Sequence, residues 1–217
     1  MKNVNLYKQL HKINPSYGGG GREFLPALNE IINFLKPKSI LDYGCGKGGL
    51  VKALAEKYPS IKVYGYDPAV EEFEKMPTDK VDFVICTDVL EHIPEDELPD
   101  TLSRIASLSQ NVFFHLHHGK ATATLPNGEN AHCTVYTPAQ YAELFKKYFP
   151  TLNFSSGLSQ INSTCVTFPL PRNVFDNWYF LLHSNTTIYR KRAVKAPCFG
   201  MKRRKKNLKI IISSFII

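Results

Sequence analysis

One stretch decides the fold of this 217-residue chain: Ile40-Leu41-Asp42-Tyr43-Gly44-Cys45-Gly46-Lys47-Gly48-Gly49. Its apolar start predicts a short strand over residues 39–43, and the residues that follow it predict a helix over 50–57. Gly44 and Gly46 allow the turn between them to bend tightly and to approach a ligand without a Cβ clash. The start of the helix offers unpaired N–H groups and the positive end of a helix dipole. The stretch therefore predicts a strand, a ligand-binding turn and a helix.

Strands and helices alternate outward from this turn. The pattern of apolar and helix-breaking residues predicts helices at 24–35, 95–108 and 138–148, and strands at 62–66, 81–86, 111–116, 152–154 and 163–168. The near-continuous apolar run at 81–86 is typical of a strand that is buried on both faces. Alternation of this kind predicts an α/β fold with a doubly wound sheet.

Two acidic residues indicate the kind of ligand. Asp42 stands two residues before Gly44, where its carboxylate would repel a pyrophosphate but could accept hydrogen bonds from an ammonium group or from water. Asp67 ends the second predicted strand, and an acidic residue at that position suits the two hydroxyls of a ribose. A strand, a glycine turn, a helix, a second strand and a terminal acid in this order form a more specific signal than the glycines alone.

Three segments together resemble class I S-adenosylmethionine-dependent methyltransferases. Asp42, Gly44, Gly46 and Gly48 match the first motif of that family, D-x-G-x-G-x-G. The segment Thr87-Asp88-Val89-Leu90-Glu91-His92-Ile93-Pro94 is similar to the family's D-V-L-E-H segment. The late pattern H-x-x-x-x-T-P of small-molecule methyltransferases is matched by His132 and by Thr137-Pro138. The resemblance covers about residues 17–168. It implies a Rossmann-like, mostly parallel sheet with an antiparallel last strand, and S-adenosylmethionine as the cofactor.

The resemblance and the strand-end positions assign roles to particular residues. The expected cofactor-binding residues are Tyr17, Asp42, Gly44, Cys45, Gly46, Gly48, Asp67, Pro68, Thr87 and Asp88. The expected catalytic residues are His132, Glu91 and His92. Of these three, His132 is the preferred general base, because a neutral imidazole can accept the proton of a hydroxyl nucleophile near neutral pH. For His92 and His132, a purely structural role remains the alternative.

The chain departs from the family pattern after Asp67. Only residues 68–80 lie where the family has a helix, a third strand and an acidic residue that contacts adenine. Thirteen residues are too few for a full helix and a full strand. Asp79 and Asp82 are candidate adenine contacts, with Asp88 or the main chain at Thr87 as the alternative. Tyr17 and the glycine run at 18–21 are predicted to form a lid over the cofactor.

The net charge of +8 comes from the end of the chain. Residues 1–189 carry 17 basic and 19 acidic residues, a net charge of −2, whereas residues 190–217 carry 10 basic residues and no acidic ones. We therefore expect a domain at residues 1–170, with residues 1–36 as an N-terminal lid and helix, and a C-terminal extension with a basic tail at 171–217. The acidic balance of the body argues against a nucleic-acid groove over the site. The tail could contact RNA, DNA or an anionic membrane surface, or could be a solvated end.

Cysteine and histidine usage argues against structural metals and disulfides. The five cysteines are scattered without a C-x-x-C pair, and Met1 to Asn14 is polar, so a cytoplasmic protein is expected. His115, His117 and His118 lie at the end of one predicted strand, but no carboxylate or cysteine stands at ligand spacing, so no metal site is expected. No feature specifies an oligomeric state.

The expected function is methyl transfer from S-adenosylmethionine to a small-molecule or saccharide acceptor, through a hydroxyl. The alternatives are a methyltransferase that acts on nucleic acid or protein, a module that binds the cofactor without catalysis, and an oxidoreductase that uses a dinucleotide. The carboxylate of Asp42 beside the glycine turn argues against the oxidoreductase.

Overall fold

The computed structural model describes residues 2–156 and 161–184. In chain order the helices and strands are α1 (Val4–Ile13), α2 (Leu25–Leu35), β1 (Ser39–Tyr43), α3 (Gly49–Lys57), β2 (Lys62–Tyr66), β3 (Phe83–Thr87), α4 (Leu98–Leu108), β4 (Val112–His117), α5 (Pro138–Phe145), β5 (Asn153–Ser156), β6 (Asn162–Val166) and α6 (Arg172–Ser184). The predicted alternation of strands and helices is confirmed, and β1 and β2 have the predicted bounds.

The strands form one six-stranded sheet with the order β2-β1-β3-β4-β6-β5. The pairs of β1 with β2, of β1 with β3 and of β3 with β4 are parallel, whereas β6 is antiparallel to both β4 and β5. The predicted α/β fold with a doubly wound, mostly parallel sheet and an antiparallel last strand is therefore confirmed.

The strand order places a crevice beside β1. The chain passes from β1 to β2 on one side and then crosses to β3 on the other side. Connections that leave two neighbouring parallel strands in opposite directions open a space at their carboxyl ends, which is where open α/β sheets bind ligands. Asp42 lies at this point, opposite Gly65 of β2 and Ile85 of β3.

Side chains alternate between the two faces of the sheet, and both faces are covered. Ile40 and Phe113 pack in one core, and the next residues, Leu41 and Phe114, pack in the other. The core that contains Ile40 includes apolar residues of α2, α3 and α6, and the core that contains Leu41 includes those of α4 and α5. Burial on both faces explains the continuous apolar sequences of β3 and β4.

Helix α6 completes the core on the α2 side. Its Trp178 is fully buried and meets Phe113 of β4 and Phe175 of its own helix edge-on, with ring centroids 6.3 and 5.4 Å apart. The helix begins at Arg172. Helix α6 therefore packs on the same core as α2, and the domain boundary expected at residue 170 stays a prediction.

The segment between β2 and β3 is as short as the sequence predicted. It contains a single 3-10 turn, Glu71–Phe73, and no further strand pairs in the sheet there. Helix α1, by contrast, was not predicted. It buries Tyr7 and Leu10 against Leu125 and Ala131 of the loop that precedes α5.

The basic tail at residues 190–217 and Cys198 lie outside the described residues. Within residues 2–156 and 161–184, no helix has the length and apolar character that crossing a bilayer requires.

The packing of α6 gives a stability prediction. We expect Trp178→Ala to lower the free energy of unfolding by about 3–5 kcal/mol, because it removes a fully buried aromatic side chain. The indole N–H of Trp178 has no hydrogen-bond partner, so Trp178→Phe should cost much less. Urea unfolding measures both variants, with the exposed Asn173→Ala as the control. Equal losses for the alanine and phenylalanine variants would contradict the prediction.

Candidate functional site

A cavity of about 270 Å³ opens at the carboxyl ends of β1 and β3, at the crevice that the strand order creates. Its walls come from the turn after β1, the turn after β2, the segment after β3 and the N-terminal residues. The predicted cofactor-binding residues that line it are Tyr17, Asp42, Gly44, Cys45, Gly46, Asp67, Pro68, Thr87 and Asp88.

The glycine turn after β1 requires residues without a side chain. Gly44 and Gly46 have φ angles of 78° and 53°, in the left-handed region that favours glycine. A Cβ on Gly44 would stand 2.2 Å from Val89 Cγ2, and one on Gly46 would stand 2.2 Å from the Gly18 carbonyl oxygen. The turn is therefore pressed between the segment after β3 and the N-terminal glycine run.

Asp67 joins the two turns at this edge of the sheet. Its Oδ2 accepts a hydrogen bond from the Gly46 N–H at 2.9 Å, and its Oδ1 accepts one from the Ala69 N–H at 2.8 Å. The Gly44 and Cys45 N–H groups both donate to the Tyr66 carbonyl oxygen, at 2.7 and 3.1 Å. A carboxylate has about four lone-pair sites, so Asp67 keeps acceptor capacity for a ligand.

Asp42 is a buried carboxylate at the end of β1. It is 3% exposed and lines the cavity. Burial, together with the negative charge of Asp67, raises the pKa of Asp42 to about 7. A cation bound beside it would relieve both effects, so this end of the cavity favours a positively charged group.

Asp88 occupies an unusual backbone conformation after β3. Its φ of 54° is in the left-handed region, which short polar side chains tolerate best after glycine. His115 donates a hydrogen bond from Nδ1 to Asp88 Oδ1 at 2.6 Å. Enclosure in the pocket works against the charged carboxylate, but the charge and hydrogen bond of His115 hold the pKa of Asp88 below its usual range. This explains one histidine of the 115–118 group without a metal.

The N-terminal segment covers the cavity from the outside. Tyr17, Gly18, Gly20 and Gly21 line it, and the Gly18 carbonyl oxygen accepts the Lys47 N–H at 2.9 Å. The role of this segment as a lid stays a prediction.

Helix α1 and its N-cap residue contribute lining residues that were not predicted, namely Val4, Tyr7 and His11 of the helix and Asn3 before it. The signal was present, because Leu6, Tyr7, Leu10 and Ile13 recur at helical spacing. What these apolar residues pack against could not be read from the sequence.

The three expected catalytic residues come together. A 3-10 turn after β3, Leu90–His92, carries Glu91 and His92, and the loop between β4 and α5 carries His132. One potential ligand atom from each lies within 4.8 Å of those of the other two. His92 lines the cavity, whereas Glu91 and His132 do not. Glu91 is fully buried, and neither of its carboxylate oxygens has a hydrogen-bond partner of good geometry.

Burial also determines the charge of this cluster. It lowers the pKa of His92 to about 4 and lowers that of His132, so both imidazoles are neutral at pH 7. Burial, reinforced by the charge of Asp88, raises the pKa of Glu91 well above its usual range.

Three other residues predicted to contact the cofactor do not line the cavity. Gly48 does not line the cavity: it lies at the start of α3, and a Cβ there would stand 2.5 Å from the Phe73 ring, so it is a packing position. Asp82 accepts the N–H groups of Lys38 and Ser39 at the opposite edge of the sheet. Asp79 is not among the residues that line the cavity.

Comparisons with known proteins agree with this geometry. A family model described as a methyltransferase domain matches residues 17–148. A structure titled a putative O-methyltransferase from Nostoc punctiforme has a TM-score of 0.52 and 17% identity, over 68% of this chain and 56% of its own. The methyltransferase domain of a bacterial Hen1 has a TM-score of 0.51 and 15% identity, over 68% of this chain and 98% of its own. The small RNA methyltransferase HEN1 has a TM-score of 0.50 and 14% identity, over 64% of this chain and 24% of its own.

These similarities concern the fold, because all three identities are low. The chain spans about half of the Nostoc protein and about a quarter of HEN1.

The burial of Asp42 gives a stability prediction with a definite sign. The carboxyl group has a pKa of about 7 in the folded protein and 3.8 when solvated, so the unfolded chain loses its proton first as the pH rises. The stability contributed by the protonated group is complete below pH 4 and is lost as the pH rises through about 7, a change of about 4 kcal/mol. Asp42→Asn cannot ionise. In urea titrations, we therefore expect the unfolding free energy of Asp42→Asn to rise relative to that of the wild type between pH 5 and 8. A pH-independent difference would contradict this.

Proposed function

This chain belongs to the methyltransferase-domain family, and we propose that it transfers the methyl group of S-adenosylmethionine to a hydroxyl of a small-molecule or saccharide acceptor. Membership of this family supports methyl transfer as the reaction, and class I methyltransferases use S-adenosylmethionine as their cofactor. The observation that carries the proposal for this chain is the cavity in which the glycine turn, Asp42 and Asp67 converge.

The residues around this cavity fit the cofactor group by group. The amino-acid end carries an ammonium and a carboxylate. We assign the ammonium to the part of the cavity that Asp42 lines. The raised pKa of Asp42 indicates a buried carboxyl group that has no neutralising positive charge. The N–H groups of Gly44, Cys45 and Gly46 are already bonded within the protein, so we assign the carboxylate to the glycine-turn side of the cavity through the positive end of the α3 dipole. Asp67, with acceptor capacity left over from its two backbone bonds, suits the ribose hydroxyls.

The adenine position follows from the short segment between β2 and β3. Without a further helix and strand, the wall on that side consists of Pro68 and Ala69. Val4 of α1 and Ile93 and Pro94 after β3 provide apolar surface on the remaining sides. We assign adenine to this apolar part of the cavity, with α1 in the place of the missing unit.

Methyl transfer requires the acceptor oxygen to be placed and its proton to be removed. When bound, the cofactor would supply a methyl group activated by a sulfonium sulfur, which is a good leaving group. The protein positions the two reactants in line. His132 donates its Nδ1–H to the Gly119 carbonyl oxygen at 2.6 Å, which leaves the lone pair of Nε2 free. This neutral imidazole is the group to which we assign the acceptor proton.

A nucleic-acid acceptor is the second candidate, favoured by the ten basic residues at 190–217. Two of the similar structures are titled as Hen1 proteins, and one of them is titled a small RNA methyltransferase. The RNA acceptor in this title belongs to HEN1. For this chain, the net negative charge of residues 1–189 supports a small-molecule acceptor.

Cofactor binding is the first test. We expect S-adenosylmethionine and S-adenosylhomocysteine to bind in calorimetric titrations, and Asp67→Ala to weaken both by about 10-fold or more, because charged hydrogen bonds contribute about 1.5–3 kcal/mol. Asp79→Ala removes an exposed acid outside the cavity and is the matched control. Absence of binding by the folded wild type would refute the assignment of the cavity.

Turnover is the second test. Incubation with labelled S-adenosylmethionine should methylate members of a panel of hydroxylated small molecules and saccharides. His132→Ala should reduce turnover by about 100-fold or more while cofactor titrations remain unchanged. Near-normal turnover of this variant would exclude His132 as the proton acceptor.

The same assay separates the two acceptor classes. Methylation of RNA in place of the small molecules, with a steep loss of activity as salt is raised, would replace the first proposal with the second.

A further inference from the structure

The cluster of Glu91, His92 and His132 has the composition of a metal site. It joins one carboxylate and two imidazoles from two separate parts of the chain, with one ligand atom from each within 4.8 Å of the others. The two parts are tied together next to the cluster, because Thr134 donates its N–H to the Glu91 carbonyl oxygen at 3.0 Å and its hydroxyl to that of Ile93 at 2.6 Å. These two hydrogen bonds therefore tie the loop that carries His132 to the segment that carries Glu91 and His92.

The carboxylate of Glu91 lacks a compensating partner. The residue is 0% exposed, and both of its oxygens lie without a hydrogen-bond partner of good geometry. In the described part of the chain, no lysine or arginine forms an ion pair with it. A buried carboxylate without a charge partner is costly to the fold. A cation bound between Glu91 and the two imidazoles would take the place of the carboxyl proton and supply the missing charge partner.

Both imidazoles present a free nitrogen. The Nδ1 atoms of His92 and His132 lie 2.8 and 2.6 Å from the carbonyl oxygens of Ala131 and Gly119. A carbonyl oxygen only accepts hydrogen bonds, so each Nδ1 carries the hydrogen and each Nε2 carries a lone pair. Histidine ligands of metals are held in this way, with the second ring nitrogen donating to a backbone carbonyl or carboxylate.

We propose that Glu91, His92 and His132 bind one divalent transition-metal ion beside the cofactor cavity. Two imidazole nitrogens and one carboxylate oxygen suit Zn²⁺, Co²⁺ or Mn²⁺ better than Ca²⁺ or Mg²⁺, which prefer all-oxygen sites. Ligand atoms on one zinc ion stand about 3.4 Å apart, given bonds of about 2.0–2.1 Å, so the side chains close by about an ångström on binding. Three protein ligands leave at least one position open for water or for another oxygen ligand.

The position of the site gives the ion a role, and this step rests on the proposed function. His92 belongs both to the cluster and to the cavity wall. An acceptor hydroxyl bound at the open position would lose its proton more readily, because a divalent ion lowers the pKa of a bound oxygen. The lone pair of His132 Nε2 would then bind the ion, so the acceptor proton would pass to solvent water and not to this imidazole. The expectation from sequence that the chain has no metal site is replaced by this proposal.

Direct metal binding tests the site without cofactor or acceptor. The tag-free full chain, freed of metal with a chelator, is titrated with Co²⁺ and followed by its visible absorption, and with Zn²⁺ and Mn²⁺ by calorimetry. We expect one ion per chain, and Glu91→Gln and His132→Asn should each weaken binding by about 100-fold or more. His118→Gln is the matched control, because both ring nitrogens of His118 already have partners, the Tyr136 carbonyl oxygen and the Ser163 hydroxyl.

Thermal unfolding provides an independent measurement on the same samples. Metal should raise the melting temperature of the wild type and of His118→Gln. Glu91→Gln cannot supply a carboxylate ligand, so it should fold without metal and show little or no response to it. Absence of a bound ion in the wild type, or equal affinity in the wild type, Glu91→Gln and His132→Asn, would overturn the proposal. Failure of the cofactor titrations would instead refute the proposed function and leave the metal result standing.

Discussion

The hydrogen bonds of Asp67 are the constraint on which the site depends. One carboxylate holds the glycine turn after β1 through the Gly46 N–H and the turn after β2 through the Ala69 N–H. The Tyr66 carbonyl oxygen adds two bonds to the same glycine turn. Because the two turns are fixed to each other, the N–H groups at the start of α3 have a fixed direction. The crossover from β2 to β3 then leaves the cavity open between the carboxyl ends of β1 and β3.

Acidic groups dominate the charge around this cavity. Asp42, Asp67 and Asp88 line it, and Glu91 lies buried behind His92. Burial raises the pKa of Asp42 and Glu91 and thus shows that the protein alone does not compensate these carboxylates. Such a site favours ligands that bring positive charge. The ammonium and sulfonium of the proposed cofactor and a divalent ion at Glu91 meet this requirement at two adjacent places.

Helix α1 lines the side of the cavity that the shortened segment between β2 and β3 leaves open. Loss of a helix and a strand from a doubly wound sheet leaves one side of the ligand crevice without a wall. Helix α1 contributes Val4, Tyr7 and His11 to the lining, and its N-cap residue Asn3 adds to it. It is held there by the hydroxyl of Tyr7, which donates to the Ala131 carbonyl oxygen at 2.7 Å. The same carbonyl oxygen accepts the Nδ1–H of His92, so the N-terminal helix and the candidate metal site share one anchor.

The sequence by itself determined the elements, the sheet type and the glycine turn, because these depend on local backbone freedom and on the periodicity of apolar residues. It also placed Asp42, Asp67 and Asp88 at the cavity, since the carboxyl ends of parallel strands meet at one edge of a sheet. Only the tertiary structure decided what α1 covers, that Gly48 is a packing position, and that Glu91 and His92 meet His132. These outcomes depend on contacts between residues that are distant in the chain, and no local pattern encodes the burial that leaves the Glu91 carboxylate without a partner.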